Sequence, residues 1–426
     1  MASLHNLDGE TENQDLFEEL LIEIFQRLPV KTLLRLQCVC KSWLNTIQSP
    51  EFARSQLEYS SKFKPSKEKI MLQSNPGGSS SGTSQFYALE SRFPDVHVDG
   101  KDIIRTLKFP SIISSENRGS SGGNFQMVGS CHGLLLLVDN LEPQTMLLWN
   151  PTTQKSRIID PPLPISDSSS SSSSSSCINA TNNAVINGFG YDPCSRDYRV
   201  VRIIPNADFS HHEILVFALK TMSWRRIVGT HGFPKSYRLV TEQTPGSIDG
   251  AIFFLAAPTH HNQNGHGSAE YVVLRFCLDS ERFMGEILGA PVFDPSLYPR
   301  EIQSAVFSDW GGGVPCLHWN WVCYKRKGYN YNHPSTFEVW LLEEFGRRHS
   351  NTISSSSWTR IFEQMSSLRI PRYMANRQFL FLIKGETLYF RDLSERPRYM
   401  ETEVNQADPD KHCCVLSSYV ESLVDV

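Results

Sequence analysis

From Asp15 to Leu57 the apolar residues return at helical intervals. Leu16, Leu20, Ile24 and Phe25 follow one another at spacings of four and one, and Glu18, Glu19 and Glu23 fall between them. That pattern predicts an amphipathic first helix. Pro29 ends it, because proline disfavours helical geometry in the residue before it and has no N–H to donate. The stretch "VKTLLRLQCVCKSWLNTIQ" predicts a second helix and a third, with Val39 and Trp43 four residues apart on one face. Ser49-Pro50 marks the exit.

After Lys62 the period changes to that of strands. "KIMLQ" and "QFYALE" are short apolar runs separated by "SNPGGSSSGTS", and the chain then repeats one theme of strand, polar loop, strand and turn. Leu147, Leu215, Val272, Val339 and Leu388 are expected to mark the second strands of successive repeats, at intervals of 68, 57, 67 and 49 residues. With loop insertions subtracted, these suit propeller blades of about 40 to 50 residues, each a four-stranded meander that buries its faces against its neighbours. A pair of β-sandwiches is the alternative, though one repeated hairpin theme over so long a stretch is unusual for it. Nine consecutive serines, Ser168 to Ser176, have nothing to bury and are expected to form a disordered loop over 166–178. The expected organisation is a disordered N-terminus over 1–14, a three-helix domain over 15–57, a linker over 58–69 and an all-β, propeller-like domain over 70–426, an α+β multidomain chain.

Composition narrows the partners. A formal charge of −4 and 20% charged residues leave no general electrostatic footprint for nucleic acid or anionic lipid. No stretch approaches the roughly 20 apolar residues of a membrane helix, and "MASLHNLDGETENQD" has no apolar leader core, so an intracellular, soluble protein of the cytoplasm and/or nucleus is expected. Ten irregularly spaced cysteines fit thiols in a reducing compartment.

Several short stretches could carry chemistry. "GSCHGLLLLV" has the form G-x-C-x-G of a nucleophile elbow, with His132 beside Cys131. An elbow requires a helix after the nucleophile, whereas Leu134 to Val138 read as a buried strand, so Gly129 and Gly133 are expected to serve a turn and no catalytic residue is assigned. Cys38 and Cys40 are too few for a zinc site, and Cys413-Cys414 are adjacent. His211, His212, His260, His261 and His266 lie in polar loops without ligand spacing. "GFGYDP" and Gly311 to Gly313 lack the remaining residues of nucleotide-binding loops and are read as turns. No metal or cofactor is expected. Trp319, Trp321, Tyr329 and Tyr331 form an aromatic stretch that fits either strand packing or a binding anchor.

The helical half resembles the F-box motif along "LLIEIFQRLPVKTLLRLQCVCKSWLNTIQSPEFARSQL", through Leu28-Pro29, Leu33-Leu34, Val39-Cys40-Lys41, Trp43, Ile47 and "SPEF". The rest is similar to the F-box associated domain of the large plant family that joins the two modules, through "GSCHGLLLL", "LWNPTTQKSRIIDPP", "NGFGYDPCSRDYRVVRI", "EILVFALKTMSWRRI", "FEVWLLEEFG" and "SSYVESLV". The chain departs from that pattern at His132, where asparagine is common, and at Phe253-Phe254, where a tryptophan-containing strand is usual. The resemblance implies a non-catalytic substrate receptor of a cullin–RING ubiquitin ligase of the SCF type. It places Leu28, Pro29, Leu33, Leu34, Val39 and Trp43 at the interface with a Skp-family adaptor, and through it a cullin and a RING protein. The propeller would hold a protein target, with substrate-binding residues unassigned. A binding or scaffolding propeller without degradation is the alternative, and a sugar-binding or enzymatic propeller a weaker third. Lys62, Lys64, Lys67 and Lys69 are candidate self-ubiquitination sites.

Overall fold

A computed structural model describes residues 18–63, 69–75, 85–90, 104–110, 125–139, 145–162, 185–205, 212–227, 232–241, 243–259, 271–285, 288–291, 300–309, 315–323, 335–342, 358–366, 371–375, 379–384, 387–392, 399–403 and 412–426. The expected serine loop and the expected disordered N-terminus lie outside these residues.

Four helices open the described chain: α1 over 18–27, α2 Val30–Leu36, α3 Lys41–Gln48 and α4 Pro50–Phe63. The last of these runs past the boundary at 57 expected from the sequence and leaves only a short link before the strand Lys69–Asn75. Local chemistry sets the breaks. Pro29 stands in extended geometry at the start of α2, Cys40 accepts from the Trp43 N–H at 3.5 Å to cap α3, and the Ser49 hydroxyl accepts from the Phe52 N–H at 3.2 Å to cap α4. Among the described residues no helix is long and apolar enough to cross a membrane.

The described strands form six sheets, antiparallel apart from the parallel pairing of Gln243–Thr244 with Arg300–Asp309, and neighbouring sheets touch one another round a ring, a β-propeller. Blade 1 joins His412–Tyr419 to Lys69–Asn75, Gln85–Glu90 and Ile104–Leu107, so its innermost strand comes from the far side of the sequence. Blade 2 runs Phe125–Cys131, Leu134–Asp139, Met146–Asn150, Lys155–Ile158, and blade 3 runs Ile186–Asp192, Asp197–Pro205, His212–Ala218, Ser223–Ile227. In blade 4 the inner and outer strands are each broken in two around Ala251–Pro258 and Val272–Cys277. Blade 5 is built on Arg300–Asp309, Pro315–Cys323, Ser335–Leu342 and Trp358–Ser366. Blade 6 consists of Pro371–Ala375, Phe379–Lys384, Thr387–Asp392 and Tyr399–Glu403.

The ring explains the unbroken apolar runs. A blade is covered on both faces, so its middle strands need no polar side. Leu135 and Leu137 pack toward blade 1 with Phe86, Phe125 and Trp149, while Leu134 and Leu136 pack toward blade 3 with Phe189, Val200 and Phe217. Ile252 and Phe254 meet blade 3, whereas Phe253 and Leu255 meet Ala305 and Phe307 of blade 5. The outer strand Lys155–Ile158 is exposed throughout. "GFGYDP" is not a turn up to its aspartate: Gly188 and Gly190 lie in the innermost strand of blade 3, and a Cβ at Gly190 would collide with Ser247 of blade 4. Close approach of two inner strands, rather than chain reversal, accounts for that glycine.

Candidate functional site

The helical domain is organised around Phe25, Val30, Leu33, Ile47, Phe52 and Ala53, with Leu21, Leu28, Leu34, Leu36 and Trp43 packed partly against them. Phe25 is the hub. Trp43 meets its ring edge-on at 5.0 Å between centroids, and Phe52 does so at 6.3 Å. The inward face of α1 is therefore Leu21 and Phe25, with Leu28 packing inward just past its end. Leu20 and Ile24, which the sequence pattern places on the apolar face with Phe25, point outward and are 52% and 53% exposed. Helix α1 carries two apolar stripes, and a single period count merges them.

The six residues expected at an adaptor interface divide accordingly. Leu33 is fully buried and supports the core, so it presents no surface to a partner. Leu28, Leu34 and Trp43 are half-buried, packed on the core along one side. Pro29 is exposed, and Val39 is 60% exposed. Val39, Leu20, Ile24 and Ile22 are the exposed large aliphatic side chains of this small domain among the described residues. The sequence signal that could have found Leu20 and Ile24 is their i, i+4 spacing, offset by one residue from Leu21 and Phe25.

The turn at Cys131 is settled by its backbone. Strands Phe125–Cys131 and Leu134–Asp139 pair through a two-residue hairpin in which His132 and Gly133 have φ of 50° and 83°, the geometry of a type I′ turn. No helix follows, so the elbow context is absent. Burial pushes the Cys131 thiol up to about 12 and lowers His132 to about 4, so near neutral pH the pair holds a thiol and a neutral imidazole. His132 Nδ1 lies 3.3 Å from the Tyr198 hydroxyl, and its ring packs against Tyr191 at 4.8 Å. This is an aromatic cluster, not a nucleophile and base.

The remaining candidates are structural where they are described. His212 opens a strand of blade 3 and packs on Phe233 at 4.1 Å. Asp192, Cys194 and Asp279 bring potential ligand atoms within 4.8 Å of one another, yet the Asp192 carboxylate accepts the Cys194 N–H at 2.9 Å and the Ser195 N–H at 3.3 Å to shape a turn. The Cys194 thiol is held up by the charge of Asp279, which disfavours the thiolate a metal needs. Cys413 and Cys414 fall within the strand His412–Tyr419, and Trp319 and Trp321 within Pro315–Cys323. Tyr329, Tyr331, His211, His260, His261, His266 and Gly311 to Gly313 lie outside the described residues.

Comparison with known proteins agrees with this division. The family model for the F-box domain matches residues 14–55, and that for the F-box associated beta propeller domain matches residues 84–426. The F-box/kelch-repeat protein At3g23880 of Arabidopsis thaliana is 26% identical over 336 residues, covering 78% of this chain and 76% of that protein. The F-box protein CPR1 of Arabidopsis thaliana is 25% identical over 377 residues, covering 84% and 75% respectively. Among solved structures, TolB from Acinetobacter baumannii aligns with a TM-score of 0.40 at 10% identity, over 82% of this chain and 66% of that one. With helices carrying the one module and a β-propeller the other, the chain belongs to the F-box proteins whose F-box is followed by an F-box associated beta propeller domain.

Proposed function

We propose that this protein is the substrate-recognition subunit of an SCF-type cullin–RING ubiquitin ligase. Its F-box docks a Skp-family adaptor, which links it to cullin and RING protein, and its propeller holds a protein for ubiquitination and proteasomal degradation. The observation that carries the reading is that Leu20, Ile24 and Val39 are each more than half exposed although the core of the helical domain is already filled by other residues. A domain this small does not keep such side chains in water unless a partner covers them. Half-buried Leu28, Leu34 and Trp43 pack on that core and keep part of their surface uncovered.

The work done is proximity. Ubiquitin moves from a thioester on a separate conjugating enzyme, and a receptor raises the effective concentration of a target lysine near it. On this reading no side chain of the receptor takes part in that transfer. The reading carries with it a location in cytoplasm or nucleus, where the free cysteines found among the described residues are stable as thiols.

The test is capture of a Skp-family adaptor and cullin by the intact chain, beside a variant carrying Leu20→Asp, Ile24→Asp and Val39→Asp. Capture by the first and loss by the second, with unchanged circular dichroism, supports the reading. Capture by neither overturns it. A captured target whose lifetime is unaffected by proteasome inhibition points to the scaffolding alternative.

A further inference from the structure

Residues 420–426, "VESLVDV", leave the innermost strand of blade 1 and pass between the ring and the helices. Their side chains alternate. Ser422 is fully buried, and the Asn150 amide donates to the Ser422 carbonyl at 3.2 Å, to the Ser422 hydroxyl at 3.4 Å and to the Val424 carbonyl at 2.8 Å. Val424 and Val426 pack on the cluster shared by blades 2 and 3. At Gly133 the left-handed turn brings the backbone so close that a Cβ would overlap both Ser422 and the Val420 carbonyl. Two sequence motifs, "GSCHGLLLL" and "LWNP", thus meet on this one segment.

The opposite side of the segment faces the F-box. Leu423, 8% exposed, belongs to the same buried cluster as Phe25, Leu33, Ile47 and Phe52. Glu421 receives Lys31 of the F-box at 3.2 Å and Lys69 of blade 1 at 2.6 Å. Burial works to raise the Glu421 carboxyl, but the two lysines outweigh it and hold it below its ordinary value. One short segment therefore supplies a core residue to one domain and backbone acceptors to the other.

We propose that residues 420–426 are a strap that fixes the F-box against the propeller as one rigid body, with Leu423 and Asn150 as its positioning residues. The covalent link between Phe63 and Lys69 limits how far the domains separate, but a tether alone sets no angle. The strap sets it. Its consequence for ubiquitination rests on the receptor reading: a fixed angle fixes which lysines of a held target come within reach of the conjugating enzyme.

The test uses the full chain with a protease recognition sequence inserted between Phe63 and Lys69, cleaved and then passed over a size-exclusion column. The two fragments of the parent are expected to co-elute. Leu423→Asp should release most of the F-box fragment. Asn150→Asp is the decisive variant, because it leaves the helical core untouched and keeps the Oδ1 that accepts from Thr152, while replacing the donor with an oxygen that repels both carbonyls. Release of at least half of the F-box fragment by Asn150→Asp, with helical circular dichroism and the melting of the ring unchanged, supports the strap. Separation of the parent fragments overturns the proposal, and so does retention in the Asn150→Asp variant. The assay contains no adaptor, so its failure and failure of the receptor reading are separate results.

Discussion

Arg199 of blade 3 donates to Glu281 of blade 4 across their interface, with Nη1 and Oε1 3.3 Å apart and the carboxylate almost wholly buried. Arg225 approaches the same oxygen from the outer strand of blade 3. A buried carboxylate is tolerated only while its partners stay in place, and removing one side of such a pair strands the other. Glu281→Gln is therefore expected to cost on the order of 2 kcal/mol, less than the roughly 3–5 kcal/mol of a fully stranded buried charge, because Arg199 keeps the Ser195 hydroxyl and the nearby Asp197. Denaturant melts followed by tryptophan fluorescence measure it; an unchanged midpoint would show that the pair contributes nothing.

Leu33 and Val39 should separate stability from binding. Leu33→Ala empties a fully buried site and is expected to cost about 2–5 kcal/mol in the helical domain. Val39→Asp changes an exposed side chain and should leave the melt within about 0.5 kcal/mol while abolishing adaptor capture. If Val39→Asp still captures adaptor at parent affinity, the docking face lies elsewhere.

His132 makes stability depend on pH in a stated direction. Burial lowers its folded value to about 4 from the ordinary 6.5. Between those values the unfolded chain binds the proton and the folded chain does not, so its contribution is complete above about pH 6.5 and is lost as pH falls toward 4. His132→Asn, which tolerates the left-handed turn, should flatten that part of the stability profile. Parallel profiles for parent and variant between pH 4 and 6.5 would contradict the assignment.

Alkylation should sort the thiols. Cys38, Cys40 and Cys194 are exposed, whereas Cys316 is buried and the Cys131 thiol is pushed up by burial. Brief iodoacetamide treatment of the native chain at pH 7, read by mass spectrometry, is expected to modify Cys38 and Cys40 and to spare Cys131 and Cys316. Modification of Cys131 ahead of Cys38 would reopen the nucleophile reading.

Much of the ring was legible in the sequence. Leu147, Leu215, Val272, Val339 and Leu388 each fall in the third strand of a blade rather than the expected second, from the second blade through the sixth, so the spacing of the repeats was readable although the position within each meander was off by one strand. Each blade is a local meander, so its period is written along the chain. Blade 1 left no comparable mark, because Tyr419 pairs with Lys69 across almost the whole sequence and no local pattern encodes that register. The same reason hid the strap: Leu423 looks like any apolar residue until the fold brings it to Phe25. The F-box was readable as a motif, but periodicity does not say which of two adjacent apolar stripes on α1 turns inward, and it assigned Leu20 and Ile24 to the wrong one.

The pairing of His412–Tyr419 with Lys69–Asn75 also orders events on the ribosome. Synthesis runs from the N-terminus, so blades 2 to 6 can be translated while the strand Lys69–Asn75 still presents an unpaired edge, the kind of edge that recruits neighbouring chains. The ring has no way to shut until residue 419 has emerged. A nascent chain stalled anywhere before that point remains an open arc, exposed to chaperones and proteases through the whole of its production.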